Sequence, residues 1–416
     1  MNNKNKERFS TRIIASEFSR KDSHGAISMP IYRSAAFEFE TSEEIANAFQ
    51  SKIAAHTYSR ISNPTVENLE EKIKQASNAQ SVMVVSSGMA AISNTFLTLA
   101  SAGSNIVASP HIFGNTFSLF QFTLASFGVE VRFVNTDNLQ EVESNIDENT
   151  CAFFCELITN PHMEIADLTQ ISKICQRKSV PVIVDTTIVP WCGFSAKDFG
   201  VDIEIVSTTK YISGGATSLG GAIVDYGTFD WKKNKRLKDV TPAKGLSAFM
   251  FKLKRETARN IGACMDPDSA SLQSLGMETL QLRFEKMSQS AYNLAEFLSG
   301  QYKIASVNYP ALKSSAYYDI YKKMFVSLPG AMLTFSLKTK EECFKLMDNL
   351  RIIRRATNLF DNKTLIIHPE STIYGTFNDE LKKIMGIDER LLRLSVGLED
   401  TEDLKTDILQ ALDNSK

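Results

Sequence analysis

One lysine in this chain stands at the end of an apolar run, where its amine could take part in chemistry. Lys210 ends the run Ile203-Glu-Ile-Val-Ser-Thr-Thr-Lys210, and a Gly-rich turn follows. Burial and nearby cations lower the pKa of a lysine, and an unprotonated amine can form a Schiff base with an aldehyde. Ser207 and Thr209 offer hydroxyls to a phosphate close by. The pattern suggests a lysine that holds pyridoxal phosphate, although by itself it also fits a lysine on the solvated surface.

Other polar side chains follow neighbouring apolar runs at the points where those runs end. The sequence Ser86-Ser-Gly88 precedes a predicted helix, where free N–H groups suit a phosphate but also form an ordinary N-cap. Glu156 and Asn160 follow a second run, and Asp185 ends a third. A buried carboxylate needs a partner, and a protonated pyridine nitrogen can be that partner. The alternative is that Asp185 only caps the loop that follows it. Asp185 and Lys210 together favour the cofactor site.

The elements that must position these side chains alternate between strand and helix. Strands of a parallel sheet buried on both faces are apolar throughout, and ligands bind beyond their carboxyl ends. We therefore predict an α/β fold with a mostly parallel sheet and helices on both faces. The predicted strands are 81–86, 104–109, 129–134, 151–155, 180–185, 203–207 and 219–224, and the helices are 89–100, 116–127, from 139, and 168–177.

The rest of the chain predicts an arm and a second domain. The first 60 residues contain few helix or strand patterns and indicate an arm that packs on another surface. After Asp225 come a Lys-rich stretch and a long helical pattern broken at Asp266-Pro267, followed by strands and helices of an α+β layer. We predict three parts: an arm at 1–60 that contacts a neighbouring subunit, a cofactor-binding domain at 61–255, and a C-terminal α+β domain at 256–416.

Composition and missing motifs exclude several function classes. The chain has 416 residues, a net charge of −2 and 43% hydrophobic residues, which favour a globular protein that binds neither nucleic acid nor membrane. The polar start of the chain is unlike a signal peptide, and scattered cysteines predict reduced thiols in the cytoplasm. Scattered histidines and cysteines predict no metal site. Phosphate-loop, dinucleotide and nucleophile-elbow motifs are absent.

The longer motifs resemble the Cys/Met-metabolism pyridoxal phosphate enzymes. This family includes cystathionine γ-synthases, cystathionine lyases, methionine γ-lyases and O-acetylhomoserine sulfhydrylases. The resemblance covers nearly the whole chain, from Thr11 to Asp400, and implies the fold of type I pyridoxal phosphate-dependent transferases. It rests on Tyr58-Ser-Arg60-Ile-Ser-Asn-Pro-Thr65, Ser86-Ser-Gly-Met89, Ser207-Thr-Thr-Lys210-Tyr, His368-Pro-Glu-Ser-Thr372 and Arg393-Leu-Ser-Val-Gly-Leu-Glu-Asp400.

The resemblance also implies a role for individual residues. Lys210 would carry the cofactor and move protons, and Asp185 would pair with the pyridine nitrogen. Asn160 would contact the ring hydroxyl, while Arg393 and Asn358 would bind the α-carboxylate of the substrate. The phosphate would be held by Ser87, Gly88, Met89, Ser207 and Thr209, and by Tyr58 and Arg60 of a neighbouring subunit, which implies a homotetramer built from dimers that share active sites.

Three residues depart from the usual family pattern. Phe113 stands where a tyrosine is usual, so it can stack on the cofactor but has no hydroxyl for the catalytic proton transfer, which Lys210 or Tyr58 would then cover. Thr186 replaces a common asparagine. Phe360 replaces a usual glycine and should narrow the pocket near the substrate carboxylate.

The glycine-rich run Gly214–Gly221 is closer to that of the sulfhydrylases than to that of the γ-synthases and methionine γ-lyases. The expected activity is therefore γ-replacement on O-acetyl-L-homoserine, with sulfide or a small thiol as the nucleophile. Elimination by a methionine γ-lyase or cystathionine lyase is the alternative. A catalytically weak chain, kept as a regulatory or partner subunit, is an alternative of another class.

Overall fold

A seven-stranded sheet carries the polar strand ends, and all but one of its strands run parallel. The computed structural model describes residues 7–16 and 24–414. The strand order is β1-β7-β6-β5-β4-β2-β3, with β7 antiparallel to both of its neighbours. The predicted α/β sheet is thereby confirmed. Its strands are β1 Ser81–Val85, β2 Asn105–Ala108, β3 Glu130–Phe133, β4 Thr150–Glu156, β5 Val182–Asp185, β6 Ile203–Val206 and β7 Gly221–Asp225.

Strand pairing brings three chain segments together at one edge of this sheet. Glu156 at the end of β4 is paired with Asp185 at the end of β5, which is paired with Ile205 on β6. Because parallel strands present their carboxyl ends at the same edge, the loops that follow β4, β5 and β6 meet there. The residues after those strands therefore form one surface, as the sequence predicted.

Apolar side chains cover both faces of the large sheet. Successive residues of a strand point to opposite faces, so Phe153 lies in one hydrophobic cluster and Phe154 in the other. Likewise, Val184 lies in the same cluster as Phe153, and Ile183 lies in the same cluster as Phe154. Helices cover the two faces: α3 Pro64–Ser77, α4 Gly88–Leu99, α5 Gly114–Ser118, α6 Leu139–Ser144 and α7 Leu168–Lys178. After α5 the helix continues through a π-helical turn at Leu119–Leu124.

A second, smaller sheet follows in the chain. Its order is β10-β11-β12-β9-β8, and β12 lies between the antiparallel neighbours β11 and β9. The strands are β8 Ser306–Asn308, β9 Met332–Ser336, β10 Arg354–Arg355, β11 Leu365–Ile367 and β12 Leu391–Ser395. The helices that follow β7 in the chain are α8 Ala248–Lys252, α9 Ala258–Ile261, α10 Pro267–Glu278, α11 Leu280–Ser299, α12 Tyr318–Met324, α13 Lys340–Asn349, α14 Asp379–Ile384 and α15 Thr401–Asn414.

Where the structure describes the amino-terminal segment, it contains two short helices that the sequence analysis did not predict, α1 Phe9–Ile14 and α2 Ser42–Phe49. α1 contacts α3 and α10, Ile13 is buried, and Ser10 Oγ donates to Gln281 Oε1 at 2.7 Å. α2 buries none of its residues. Residues 1–6 and 17–23 of the predicted arm lie outside the described residues, and its contact with a neighbouring subunit stays a prediction.

Candidate active site

A cavity of about 330 Å³ lies beyond the carboxyl ends of β4, β5 and β6. The described part of the chain thus has a pocket at the edge where the sequence placed one. Loops after these strands, the start of α4 and strand β12 of the second sheet form its walls. Its lining includes ten residues that the sequence or the resemblance singled out for the site: Ser87, Gly88, Met89, Phe113, Asn160, Asp185, Ser207, Thr209, Lys210 and Arg393.

Lys210 lines this cavity, and its amine points at the side-chain oxygen of Asn358. Its Nζ donates to Asn358 Oδ1 at 2.7 Å. Burial and then the positive charge of Arg393 lower the pKa of Lys210 to about 8, against the opposing effect of Asp185. An amine is nucleophilic only when unprotonated, so the lowered pKa increases the fraction of Lys210 that could react near neutral pH.

Arg393 is a buried cation without a counter-charge. Its side chain donates to Asn160 Oδ1 at 3.2 Å and to the backbone oxygen of Asn358 at 3.4 Å, and its Nε has no hydrogen-bond partner. No carboxylate among the described residues forms an ion pair with it. Burial lowers the pKa of Arg393 to about 10. An unpaired buried charge is costly, so this guanidinium is suited to bind a carboxylate from outside the chain.

Asp185 supplies the opposite charge. Its Oδ1 accepts the backbone N–H of Thr187 at 2.9 Å. Burial raises the pKa of Asp185, and the hydrogen bond from Thr187 and the charge of Lys210 act against that rise. A cationic ring nitrogen in the cavity would stabilise the ionised carboxylate.

The start of α4 approaches the loop after β6 very closely. Ser87 caps the helix by accepting the N–H of Ala90 at 3.0 Å. A Cβ on Gly88 would lie 2.8 Å from Ser207 Cβ, so a side chain at this position would collide with the loop. Helix N–H groups and the Ser207 hydroxyl therefore face a common space, which suits a phosphate.

Tyr58 and Arg60 lie outside this cavity. Tyr58 is 42% exposed, and the guanidinium of Arg60 lies 5.4 Å from the centre of its ring. Arg60 also donates to the backbone oxygen of Arg259 at 2.7 Å. The chain does not bring these two residues to its own cavity, and their place in the site of a neighbouring subunit stays a prediction.

The residues that depart from the usual family pattern differ in their distance from the cavity. Phe113 and Phe360 line it, and the Phe360 ring stacks on Tyr211 with centroids 4.2 Å apart. Phe360 has a φ of 56°, a left-handed conformation that is strained for a large side chain. Thr186 instead turns away and donates its hydroxyl to the buried carboxylate of Glu204.

Two residues near the site had no assigned role in the sequence analysis. Glu156 lines the cavity, and Tyr374 is fully buried and donates its hydroxyl to the backbone oxygen of Asn160 at 3.1 Å. Glu156 was visible as a polar strand end. Tyr374 follows the motif His368-Pro-Glu-Ser-Thr372 but carries no local signal of its contact, which spans 214 residues of sequence.

The described residues, 7–16 and 24–414, show no group of three or more His, Cys, Asp or Glu that could hold a metal ion. None of the helices in that part of the chain is long and apolar enough to cross a membrane.

Comparison with known proteins shows the family. The sequence model of the Cys/Met metabolism PLP-dependent enzymes matches residues 10–413. An O-acetyl-L-homoserine sulfhydrylase of Corynebacterium glutamicum is 33% identical, over 96% of this chain and 95% of the relative. An L-methionine gamma-lyase of Fusobacterium nucleatum subsp. nucleatum is 35% identical, over 94% of this chain and 95% of the relative.

Solved structures agree with this assignment. A putative O-acetylhomoserine (thiol)-lyase from Campylobacter jejuni, with N'-pyridoxyl-lysine-5'-monophosphate in its chain, has a TM-score of 0.92 and 34% identity, covering 98% of this chain and 100% of that one. An O-acetylhomoserine sulfhydrylase of Wolinella succinogenes has a TM-score of 0.77 and 45% identity, over 85% of this chain and 99% of that one. The chain therefore belongs to the Cys/Met metabolism PLP-dependent enzymes and has their type I fold.

Proposed function

We propose that this member of the Cys/Met metabolism PLP-dependent enzymes catalyses γ-replacement on O-acetyl-L-homoserine with sulfide or a small thiol. Acetate leaves the γ-carbon, and the sulfur of the nucleophile bonds to it, so sulfide gives homocysteine. The observation that carries the proposal is the buried, unpaired Arg393 beside Lys210. Sulfhydrylases among the relatives and structural neighbours support the choice of substrate.

The chain's residues fit pyridoxal phosphate. Lys210 would bond to the aldehyde of the cofactor, and Asp185 would pair with its pyridine nitrogen. Asn160 would contact the ring hydroxyl, and Phe113 would stack on the face of the ring. When bound, the cofactor supplies an electron sink for the electron pair left when a proton leaves the amino acid. The phosphate is assigned to Ser87, Gly88, Met89, Ser207 and Thr209, at the start of α4 and the end of β6.

Arg393 and Lys210 orient the substrate and move its protons. Arg393 binds the α-carboxylate in a bidentate pair. The carboxylate supplies the counter-charge that the buried guanidinium lacks, and the pair fixes the amino acid in one orientation. Lys210 takes the α-proton at Nζ, since a pKa of about 8 leaves part of the amine unprotonated near neutral pH. Asn358 accepts a hydrogen bond from Nζ and thereby holds the amine near the guanidinium.

Phe113 has no hydroxyl, so Lys210 carries proton transfers that a tyrosine would otherwise share. Tyr58 of a neighbouring subunit is the second candidate donor, because Tyr58 and Arg60 lie at an exposed part of this chain, away from its own cavity. The proposed assembly is a homotetramer of dimers that share active sites. All six cysteines are free thiols, which supports a cytoplasmic location.

Elimination is the second candidate, favoured by the methionine gamma-lyase relatives at 35% identity. It uses the same residues until water, in place of a thiol, captures the product of the γ-elimination. A partner subunit without activity is disfavoured because Lys210, Asp185 and Arg393 line one cavity.

The test is to incubate the purified holoenzyme with O-acetyl-L-homoserine, with and without sulfide, and to measure homocysteine and 2-oxobutyrate. Homocysteine that forms only with sulfide supports the proposal. Abundant 2-oxobutyrate without sulfide, and also from methionine, would show a γ-lyase instead. No product from any amino-acid donor, with cofactor bound, would support the partner subunit.

A further inference from the structure

Glu156 ties two loops of the active-site cavity to each other. It ends β4, lines the cavity and is 8% exposed. Its Oε1 accepts the backbone N–H of Phe113 at 2.6 Å, and its Oε2 accepts the backbone N–H of Asn160 at 3.1 Å. Both oxygens of one carboxyl group are therefore used, one on the loop after β2 and the other on the loop after β4.

The position of Glu156 is electrostatically costly. Asp185 is its partner on β5, so two carboxyl groups lie side by side at the sheet edge. Burial, and then the charge of Asp185, raise the pKa of Glu156 to about 8, although the two N–H groups oppose the rise. Among the described residues no cation forms an ion pair with Glu156. A simple loop cap needs neither a second carboxyl group beside Asp185 nor both oxygens of that group, so this arrangement points to a role in the site.

Each of the two loops carries a residue that faces the ligand space. Phe113 lines the cavity directly. Asn160 accepts a hydrogen bond from Arg393 Nη1 at its side-chain oxygen, at 3.2 Å, and one from Tyr374 at its backbone oxygen. Through these contacts Glu156 links the aromatic wall of the cavity to the guanidinium assigned to the substrate.

We infer that Glu156 is a positioning residue that holds Phe113 and Asn160 at a set separation, and thereby places the cofactor ring and Arg393 relative to each other. The part that concerns substrate rests on the proposed function. Two acceptor oxygens are required, because each loop donates one backbone N–H. Glutamine has the same shape but only one acceptor, and its NH2 group would face a backbone N–H. Aspartate keeps both acceptors on a stem shorter by one methylene.

The two loops have a second connection, away from the cavity. The rings of His111 and His162 stack with centroids 4.2 Å apart, and Glu164 lies 2.6 Å from His111 Nδ1. His162 also lies 3.1 Å from the backbone oxygen of Gly386. Because this contact remains in a Glu156 variant, we expect the loops to stay folded while the wall that faces the ligand shifts.

The experiment compares Glu156→Gln, Glu156→Asp and a matched control, Glu204→Gln. Glu204 is also a buried carboxyl group of the same sheet, accepts hydrogen bonds from Thr186, Trp191 and Tyr226, and lies outside the cavity lining. Three quantities are measured for each protein: the dissociation constant of pyridoxal phosphate from the apoprotein, the visible circular dichroism of the bound cofactor, and KM against kcat with O-acetyl-L-homoserine. Melting temperature reports on the fold.

Glu156→Gln should weaken cofactor binding by about 10-fold, which is the effect of losing one hydrogen bond and leaving a buried backbone N–H unpaired. It should also change the visible circular dichroism and raise KM, with a small change in melting temperature. Glu156→Asp should retain more of each property than Glu156→Gln. Glu204→Gln should lower the melting temperature and leave the circular dichroism of the bound cofactor unchanged.

The inference is wrong if Glu156→Gln matches the unmodified enzyme in cofactor affinity and circular dichroism, or if only its melting temperature changes. It is also wrong if Glu156→Gln retains more than Glu156→Asp, since side-chain length would then matter and the second acceptor would not. Cofactor affinity and circular dichroism are measured without substrate. They therefore test the inference even if the unmodified enzyme makes no homocysteine and the proposed function fails.

Discussion

The two edges of the large sheet each have a cavity of about 330 Å³, and only one of them resembles an active site. The first, at the carboxyl ends of the strands, holds Lys210 and Arg393. The second lies at the amino ends of β2, β4 and β5 and is flanked by the Lys-rich stretch that the sequence analysis noted. Its lining includes four cations, Lys178, Lys233, Lys235 and Arg236.

Charges at the amino-end cavity are exposed or have partners within the chain. Asp147 accepts hydrogen bonds from Asn105 and Arg132, which hold its pKa below the usual range. Lys235 donates to Asn149 Oδ1 at 2.8 Å, and Arg236 donates to the backbone oxygen of Ala100. Solvent screens the exposed lysines, so these groups need no ligand.

Titratable groups at the carboxyl-end cavity are buried, and none of them forms an ion pair among the described residues. Arg393 has no carboxylate partner within residues 7–16 and 24–414, Glu156 and Asp185 are neighbours in register on β4 and β5, and the pKa of Lys210 falls to about 8. Cavity volume therefore does not identify the site in this molecule. Unmatched buried charge does, because only a ligand can supply the missing partners.

Lys210→Ala should have the largest effect. Without the amine, both covalent attachment of the cofactor and proton transfer are lost, and we expect turnover to fall by roughly 1000-fold or more. The measurement is the rate of homocysteine formation at saturating cofactor, with far-ultraviolet circular dichroism as the control for folding. Retained turnover would show that the reaction does not take place at this edge of the sheet.

Arg393→Met removes the unpaired charge and keeps much of the side-chain volume. We expect kcat/KM for the amino-acid substrate to fall by roughly 100-fold or more, because the carboxylate loses a charged partner. The melting temperature of the apoprotein should stay the same or rise, since burying an unmatched cation is costly. A clear fall in melting temperature would show that Arg393 is structural, and the contrast between the two edges would weaken.

The rate at which the apoprotein captures pyridoxal phosphate should rise with pH and level off near pH 8. Below the lowered pKa of Lys210, about 8, the amine is mostly protonated, so the rate should change about 10-fold per pH unit. In Arg393→Met the midpoint should move to higher pH, because the charge of Arg393 helps to lower the pKa of Lys210. Stopped-flow absorbance measures both curves, and a midpoint near that of an ordinary lysine would contradict the prediction.

Phe360→Gly tests backbone strain inside the active-site cavity. Removing a buried aromatic ring costs about 3–5 kcal/mol, while relief of a left-handed backbone conformation returns about 1–3 kcal/mol. We therefore expect a net loss of stability of about 2 kcal/mol in denaturant unfolding, together with a wider cavity that accepts bulkier thiols. Unchanged or higher stability would show that strain outweighs the stacking of Phe360 on Tyr211.

Lys178→Ala at the amino-end cavity should have the smallest effect. Lys178 is exposed, and we expect kcat/KM to change by less than about twofold and stability by about 0.5 kcal/mol or less. Lys233→Ala serves as a second variant at the same edge. A change of more than about fivefold in kcat/KM for either variant would show that this edge also contributes to function and would break the comparison.

Much of the fold and part of the site could be predicted from local sequence. Runs of β-branched and aromatic residues predicted the strands of the large sheet because both faces of that sheet are buried. The short helices α1 and α2 were not predicted. The sequence did carry a local signal for α2, since Thr41 caps its first turn and the apolar residues Ile45 and Phe49 lie four positions apart. α1 has six residues, too few to show a clear apolar period.

The sequence alone determined which residues end the strands of the large sheet, and so placed Glu156, Asp185 and Lys210 at one edge. The strand pattern depends on near neighbours in the chain, and strands that alternate with helices present their carboxyl ends at the same edge of a parallel sheet. Only the tertiary structure brought Arg393 to Asn160 and Asn358 to Lys210, contacts between residues 233 and 148 positions apart. It also left Arg393 buried with no carboxylate partner in the described part of the chain, since burial and the absence of a counter-charge exist only once distant segments have packed around a residue.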